Sequence, residues 1–197
     1  MTASPPAHSA RKQELLERAY DYVLEHGLAG MSLRPLAEAV GSSPRVLLFL
    51  FGSKDGLVQA LLARSRREEL RMLHEVRQAE PDGAGPARTG ELVWEWLAAP
   101  RQRKLLTLWV EGYGRSLTDP AGPWSDFAGR TVDDWLAVFA EAQQPERRDT
   151  TEGATERTLL LSVLRGALLD LLATGDRPRL DAAVGAHLAS LRTGRRT

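Results

Sequence analysis

The side chains able to carry chemistry are few and unevenly placed. Four histidines, His8, His26, His74 and His187, are scattered with no pair at metal-ligand spacing. None stands with a serine and a carboxylate as a nucleophile–base set would require. Cysteine is absent, which removes disulfides, thiolate metal sites and cysteine nucleophiles. There is no glycine-rich phosphate loop; acid pairs such as Asp133-Asp134 stay open as acid–base candidates, but no residue set argues for an enzyme. The expectation is no enzyme, no cofactor and no metal. What remains is anion chemistry. Ser32 and Ser43 each precede a short helical stretch, where a hydroxyl and unpaired N–H groups suit either the helix's own cap or an anion.

Glycine and proline punctuate the elements that hold these serines. Arg11 to His26 carries Leu15, Leu16, Ala19, Tyr22 and Val23 at helical spacing, and Gly27 stops it. Ser32 to Val40 is a short helix with Pro35 in its first turn, ended by Gly41. Ser43 and Pro44 open the next piece. Its body, Val46-Leu47-Leu48-Phe49-Leu50-Phe51, is too short for periodicity to distinguish a buried strand, a core helix or a reading helix. A long helix then runs from a Ser53 cap to Ala79.

Further helices are expected over about 87–98, 101–118, 127–142, 154–174 and 180–191, with polar, mobile chain over 143–153. No strand pair is expected, so the fold class is all-α. The 43% hydrophobic and 26% charged residues match an ordinary globular chain. No apolar run is long enough to span a membrane. Residues 1–10 read as a disordered tail without a signal peptide, so a cytoplasmic protein is the default.

A short helix, a Gly41-Ser42-Ser43 turn and a second short helix form a helix-turn-helix pattern. The stretch "LAEAVGSSPRVLLFLFGSKDGL" resembles the N-terminal signature of the TetR family of one-component regulators. Leu36-Ala37, Gly41, Ser43, Leu47, Phe51, Ser53-Lys54 and Leu57 fall at the matching places, with Gly27 and Ser32 before them. The resemblance settles the apolar run as a reading helix, with Leu47 and Phe51 turned to the core.

It implies a three-helix DNA-binding domain over 11–57 and an effector-binding and dimerisation bundle over 58–193, about nine helices in all, paired into a homodimer through the last two. It further implies a ligand-responsive regulator, a repressor released from a palindromic double-stranded operator by a small-molecule effector. The implied DNA contacts are Ser32, Arg34, Ser43, Pro44, Arg45, Val46, Leu48 and Lys54, with Arg45 able to pair with guanine. Arg11 and Lys12 either reach DNA or stay solvated.

Three departures stand out. Arg45 replaces a frequent glycine, Leu48 a tyrosine, and Leu50 a histidine or tyrosine. Leu48 and Leu50 leave two options: apolar contacts with thymine methyls or sugars, or burial in the protein with more of the contact left to Arg45 and Lys54. They also motivate the alternative function, a helical ligand-binding or adaptor protein on the same scaffold with weak or lost DNA binding. Within residues 1–60 six cations and six acids cancel, and phosphate neutralisation drives most DNA affinity. Binding is therefore expected to be modest per subunit.

All five tryptophans lie after residue 90. Trp94, Trp109, Tyr113, Phe127 and Trp135 are the expected effector pocket, with core packing the competing role. Trp109 and Tyr113 share one helix face, Glu111 and Arg115 another. In the strongly apolar 154–174 segment and the last helix, Leu161, Leu164, Leu168, Leu172, Val184 and Leu188 are the expected dimer contacts.

Overall fold

The computed structural model of the protein describes residues 7–28, 30–78 and 85–193. Among these, ten α-helices and one 3-10 turn form, with no strand. They are α1 (Ala7–His26), α2 (Leu33–Ala39), α3 (Pro44–Phe51), α4 (Lys54–Gln78), α5 (Pro86–Leu97), α6 (Arg103–Thr118), α7 (Phe127–Glu141), α8 (Pro145–Arg148), α9 (Thr151–Thr174) and α10 (Arg177–Thr193). The 3-10 turn, Pro100–Gln102, leads into α6. Of the expected tail, residues 1–6 lie outside the described residues, and Ala7 already belongs to α1.

The segment 143–153 differs from the mobile chain expected of it. It holds α8 and the start of α9. The buried Gln143 donates to the Gly153 carbonyl at 2.8 Å. Arg148 donates to the Ala140 carbonyl at 3.0 Å, and Arg157 to the Arg148 carbonyl at 2.8 Å. Polar composition concealed side chains whose work is to satisfy backbone carbonyls.

The chain divides into two compact units, a different partition from a functional division after Leu57. One comprises Met1–Glu68 and Lys104–Ala128, the other Glu69–Arg103 and Gly129–Thr197. In the first, Leu15, Ala19 and Val23 of α1 are buried along with Leu36 of α2, Leu47 of α3, Leu57 and Leu61 of α4 and Leu106 of α6. Gly112 lets α6 come close to its neighbours. A Cβ there would lie 3.0 Å from Leu62 and 3.1 Å from Phe127.

In the second unit α10 lies against α5 and α9. Gly90 of α5 fills the role of Gly112: its Cβ would meet Leu188 at 2.7 Å and Leu160 at 3.0 Å. Val93, Phe139, Leu160, Leu164 and Val184 form the buried centre. Arg103 donates to the Leu172 carbonyl at 2.8 Å, giving the C-terminal turn of α9 one of the partners its carbonyls need.

Candidate nucleic-acid interface

The α2–α3 turn is built by backbone hydrogen bonds. The Ser42 N–H donates to the Ala37 carbonyl at 2.8 Å, and Gly41 takes a φ of 66°, which L side chains avoid. Ser43 then caps α3, its hydroxyl accepting from the Val46 N–H at 3.3 Å, and Pro44 takes the first turn. At the α3–α4 corner Ser53 accepts from the Gly56 N–H at 2.9 Å. A Cβ on Gly56 would lie 2.2 Å from the Phe51 carbonyl oxygen, so the corner closes only around glycine. Ser32 also stands at an N-cap, but its hydroxyl makes no cap bond and is left exposed at the start of α2.

The six apolar residues of α3 divide by face. Leu47, Leu50 and Phe51 are buried. Val46 and Leu48 are 39% and 38% exposed, and Phe49 is 74% exposed. Leu48 and Leu50 thus part company: Leu50 belongs to the core, and Leu48 faces outward. Of the two options open to this pair, Leu50 takes burial in the protein, and Leu48 alone stays at the surface where it could touch DNA. Sequence reasoning missed Phe49; the helical positions of Leu47 and Phe51 on either side of it were the available signal.

The balanced charge is spent unevenly. Glu14 takes Arg11 at 2.7 Å and Arg18 at 2.8 Å. Glu17 and Glu68 take Arg64 at 2.8 and 3.0 Å. Burial disfavours the Arg64 charge, but hydrogen bonds to these two carboxylates outweigh it and hold the guanidinium above its ordinary range. Lys104 pairs with Glu25, and Lys12 lies 5.2 Å over the Phe51 ring. Arg34, Arg45 and Lys54 are exposed, and among the described residues they form no ion pair. The cations around α1 are occupied; those beside α2 and α3 are not.

Helix α6 reaches this module directly. Glu111 Oε2 accepts the Leu28 N–H at 2.8 Å, and its Oε1 is buried without a hydrogen-bond partner among the described residues. Gly27, at φ 76°, leaves room for that carboxylate, which would be 3.3 Å from a Cβ. Trp109 and Tyr113 of the same helix have ring centroids 5.1 Å apart. Ser116 accepts the Ala128 N–H at 3.1 Å, and Arg115 lies 5.8 Å over Trp124.

Of the expected pocket residues, Trp109, Tyr113 and Phe127 belong to the first unit, Trp94 and Trp135 to the second. Trp94 donates its indole N–H to Asp181 at 2.7 Å, and Trp135 donates to the buried Glu69. Both indoles are thereby fixed inside the second unit. Of the expected dimer residues, Leu161, Leu164, Leu168, Val184 and Leu188 are buried within the chain itself, and Leu172 is half-buried. The outer face of α9 is a different stripe: Leu159, Ser162, Gly166, Leu169 and Ala173, all exposed. Among the described residues no group of three or more His, Asp or Glu could hold a metal ion. No single helix is long and apolar enough to cross a membrane.

A short exposed reading helix on a helix-turn-helix, within an all-α chain, defines a class of DNA-binding regulator. The family described as bacterial regulatory proteins, tetR family, matches residues 15–61. The HTH-type transcriptional repressor AcnR of Corynebacterium diphtheriae is 30% identical over 193 residues, covering 94% of this chain and 93% of that protein. This chain belongs to the TetR family. In fold it is similar to a TetR-family transcriptional regulator from Cytophaga hutchinsonii (TM-score 0.77, 17% identity, 96% of this chain and 98% of that one). It is also similar to the multidrug binding protein EbrR complexed with imidazole (TM-score 0.68, 23% identity, 95% and 93%).

Proposed function

We propose that the protein is a homodimeric repressor that binds a palindromic operator through α2 and α3 and is released by a small effector. One observation carries the DNA side: Arg34, Arg45 and Lys54 stand exposed beside α3 without ion pairs among the described residues, while Arg11, Arg18 and Arg64 are paired. Ser32, Arg34, Ser43 and Lys54 take backbone phosphates, at helix starts where N–H groups add to the attraction. Pro44, Arg45, Val46 and Leu48 face the bases. Repression is the activity in the name of the AcnR relative, and EbrR supports small-molecule binding on this scaffold.

The effector acts through α6. Phe127 packs at Gly112 of α6, the helix that also carries the Trp109–Tyr113 ring pair and whose Glu111 holds the Leu28 N–H. Trp94 and Trp135 serve as core. An effector that favours a displaced α6 loosens the loop between α1 and α2, and it shifts the DNA-binding equilibrium only by its differential affinity for the two states. The dimer forms on the outer stripe of α9 with Ala182, Gly185 and Ala189 of α10, all exposed. Leu161, Leu164, Leu168, Leu172, Val184 and Leu188 back that surface from inside.

Leu169→Glu tests the reading, since Leu169 is half exposed and its charge cannot disturb the core. By sedimentation the variant is expected to be a monomer. On an enriched palindromic duplex it is expected to lose at least about a hundredfold in affinity, because a single half-site then acts alone. A dimer that persists in Leu169→Glu overturns the assigned interface.

A further inference from the structure

The outer face of α3 is chemically unusual for a helix that reads bases. From Pro44 to Phe51, Arg45 carries the sole hydrogen-bonding side chain. There is no Asn or Gln for adenine and no Asp or Glu for cytosine. The other outward groups are Val46, Leu48 and Phe49. Residues 45 and 49 are four apart, and 46 and 49, like 45 and 48, are three apart. The four side chains therefore form one continuous strip with the guanidinium at its N-terminal end.

Apolar atoms can recognise one feature of a base edge in the major groove, the thymine 5-methyl group. The strip's surroundings favour DNA over an apolar protein surface. Arg34 and Lys54, exposed and free of ion pairs among the described residues, lie on the flanking α2 and α4, together with the uncapped Ser32 hydroxyl. A cationic, hydroxyl-bearing rim around an apolar centre complements two phosphate backbones with a methyl-lined groove between them. Few cations are available to neutralise phosphate, so apolar burial must supply a larger share of the affinity than in a strongly basic binder.

We infer that each half-site is read as thymine methyls next to a guanine. Phe49 is the main determinant of specificity, supported by Val46 and Leu48, and Arg45 pairs with the guanine. This rests on the DNA-contact reading of α3 and adds what that helix recognises.

The test uses the full-length protein and a duplex enriched from a random pool. That duplex is resynthesised with deoxyuridine replacing thymidine one position at a time, which removes only the 5-methyl group. Wild type and Phe49→Ala are titrated at one salt concentration. Wild type is expected to lose about fourfold for each contacted methyl, the scale of burying one methyl-sized group. At the thymine facing Phe49, the loss in Phe49→Ala should shrink to within about twofold. Because Phe49 is 74% exposed, Phe49→Ala should lower the melting temperature by no more than about 3 °C; a drop of more than about 10 °C would place Phe49 in the fold and overturn the inference. So would wild-type binding indifferent to deoxyuridine, or an undiminished methyl effect in Phe49→Ala. Methyl-indifferent binding overturns this inference alone, whereas failure to enrich any duplex overturns the DNA-contact reading together with it.

Discussion

Helices α3 and α9 are both rich in large apolar residues, and the fold uses them in opposite ways. In α3, three of six consecutive apolar side chains enter the core and three face outward, Phe49 the largest of those three. In α9, Leu160, Leu161, Leu164, Ala167, Leu168 and Leu171 are buried, and the outer stripe is thinned to Leu159 and Leu169, with Ser162 and Gly166 between them and Ala173 beyond. A short helix that must read a groove keeps bulk on its outer side. The long α9 keeps its bulk inside and its small residues outside, on the face assigned to the proposed dimer. Apolar density alone is the same signal in both; the face on which it falls separates them.

The largest expected effect lies inside α3. Leu50→Ala removes a buried side chain and should cost about 2–5 kcal/mol by denaturant melts, whereas Leu48→Ala, facing outward, should cost less than about 1 kcal/mol. Equal costs would erase the division of the helix into two faces. Next comes the corner that aims it. Gly56→Ala forces a methyl against the Phe51 carbonyl and should destabilise by about 1–3 kcal/mol. A neutral Gly56→Ala in thermal melts would show that the corner relaxes freely.

Smaller again is Glu111→Ala, which strands the Leu28 N–H. A loss of about 1–2 kcal/mol is expected, with Glu111→Gln recovering most of it because an amide oxygen still accepts. If the amide variant is as unstable as the alanine, the hydrogen bond is not what Glu111 contributes. The smallest effect is on α9. A Cβ at Gly166 meets nothing within 4 Å in the single chain, so helix propensity alone makes Gly166→Ala stabilising by about 0.5–1 kcal/mol. Should sedimentation show dimers weakened by that one methyl, a second helix approaches at Gly166, and the contrast with α3 becomes sharper.

Much of the fold was legible because its punctuation is strong. Gly41, Ser43-Pro44 and Gly52-Ser53 carry fixed backbone demands, and the structure meets them at α2, α3 and α4. Ser32 was legible as a helix start but not as an uncapped one, since a cap bond depends on a rotamer that no spacing specifies. The α8 segment was misread because Gln143, Arg148 and Arg157 look solvent-directed by type, and only tertiary contact shows them bonded to carbonyls. Leu161, Leu164, Leu168, Val184 and Leu188 were legible as apolar but not as already covered. Apolar patterning says that a face is buried without saying whether the chain or its partner buries it. Glu111 gave no sign at all of reaching Leu28, 83 residues away.

The most direct test of the account is a titration of the purified protein on an enriched duplex across salt concentrations. With Arg34 and Lys54 as the phosphate-facing cations of each protomer and Arg45 on a base, a dimer should give a slope of about −4 in log affinity against log salt. A slope near zero, or one as steep as about −10, would contradict a reading head that binds DNA through a few free cations around an apolar strip.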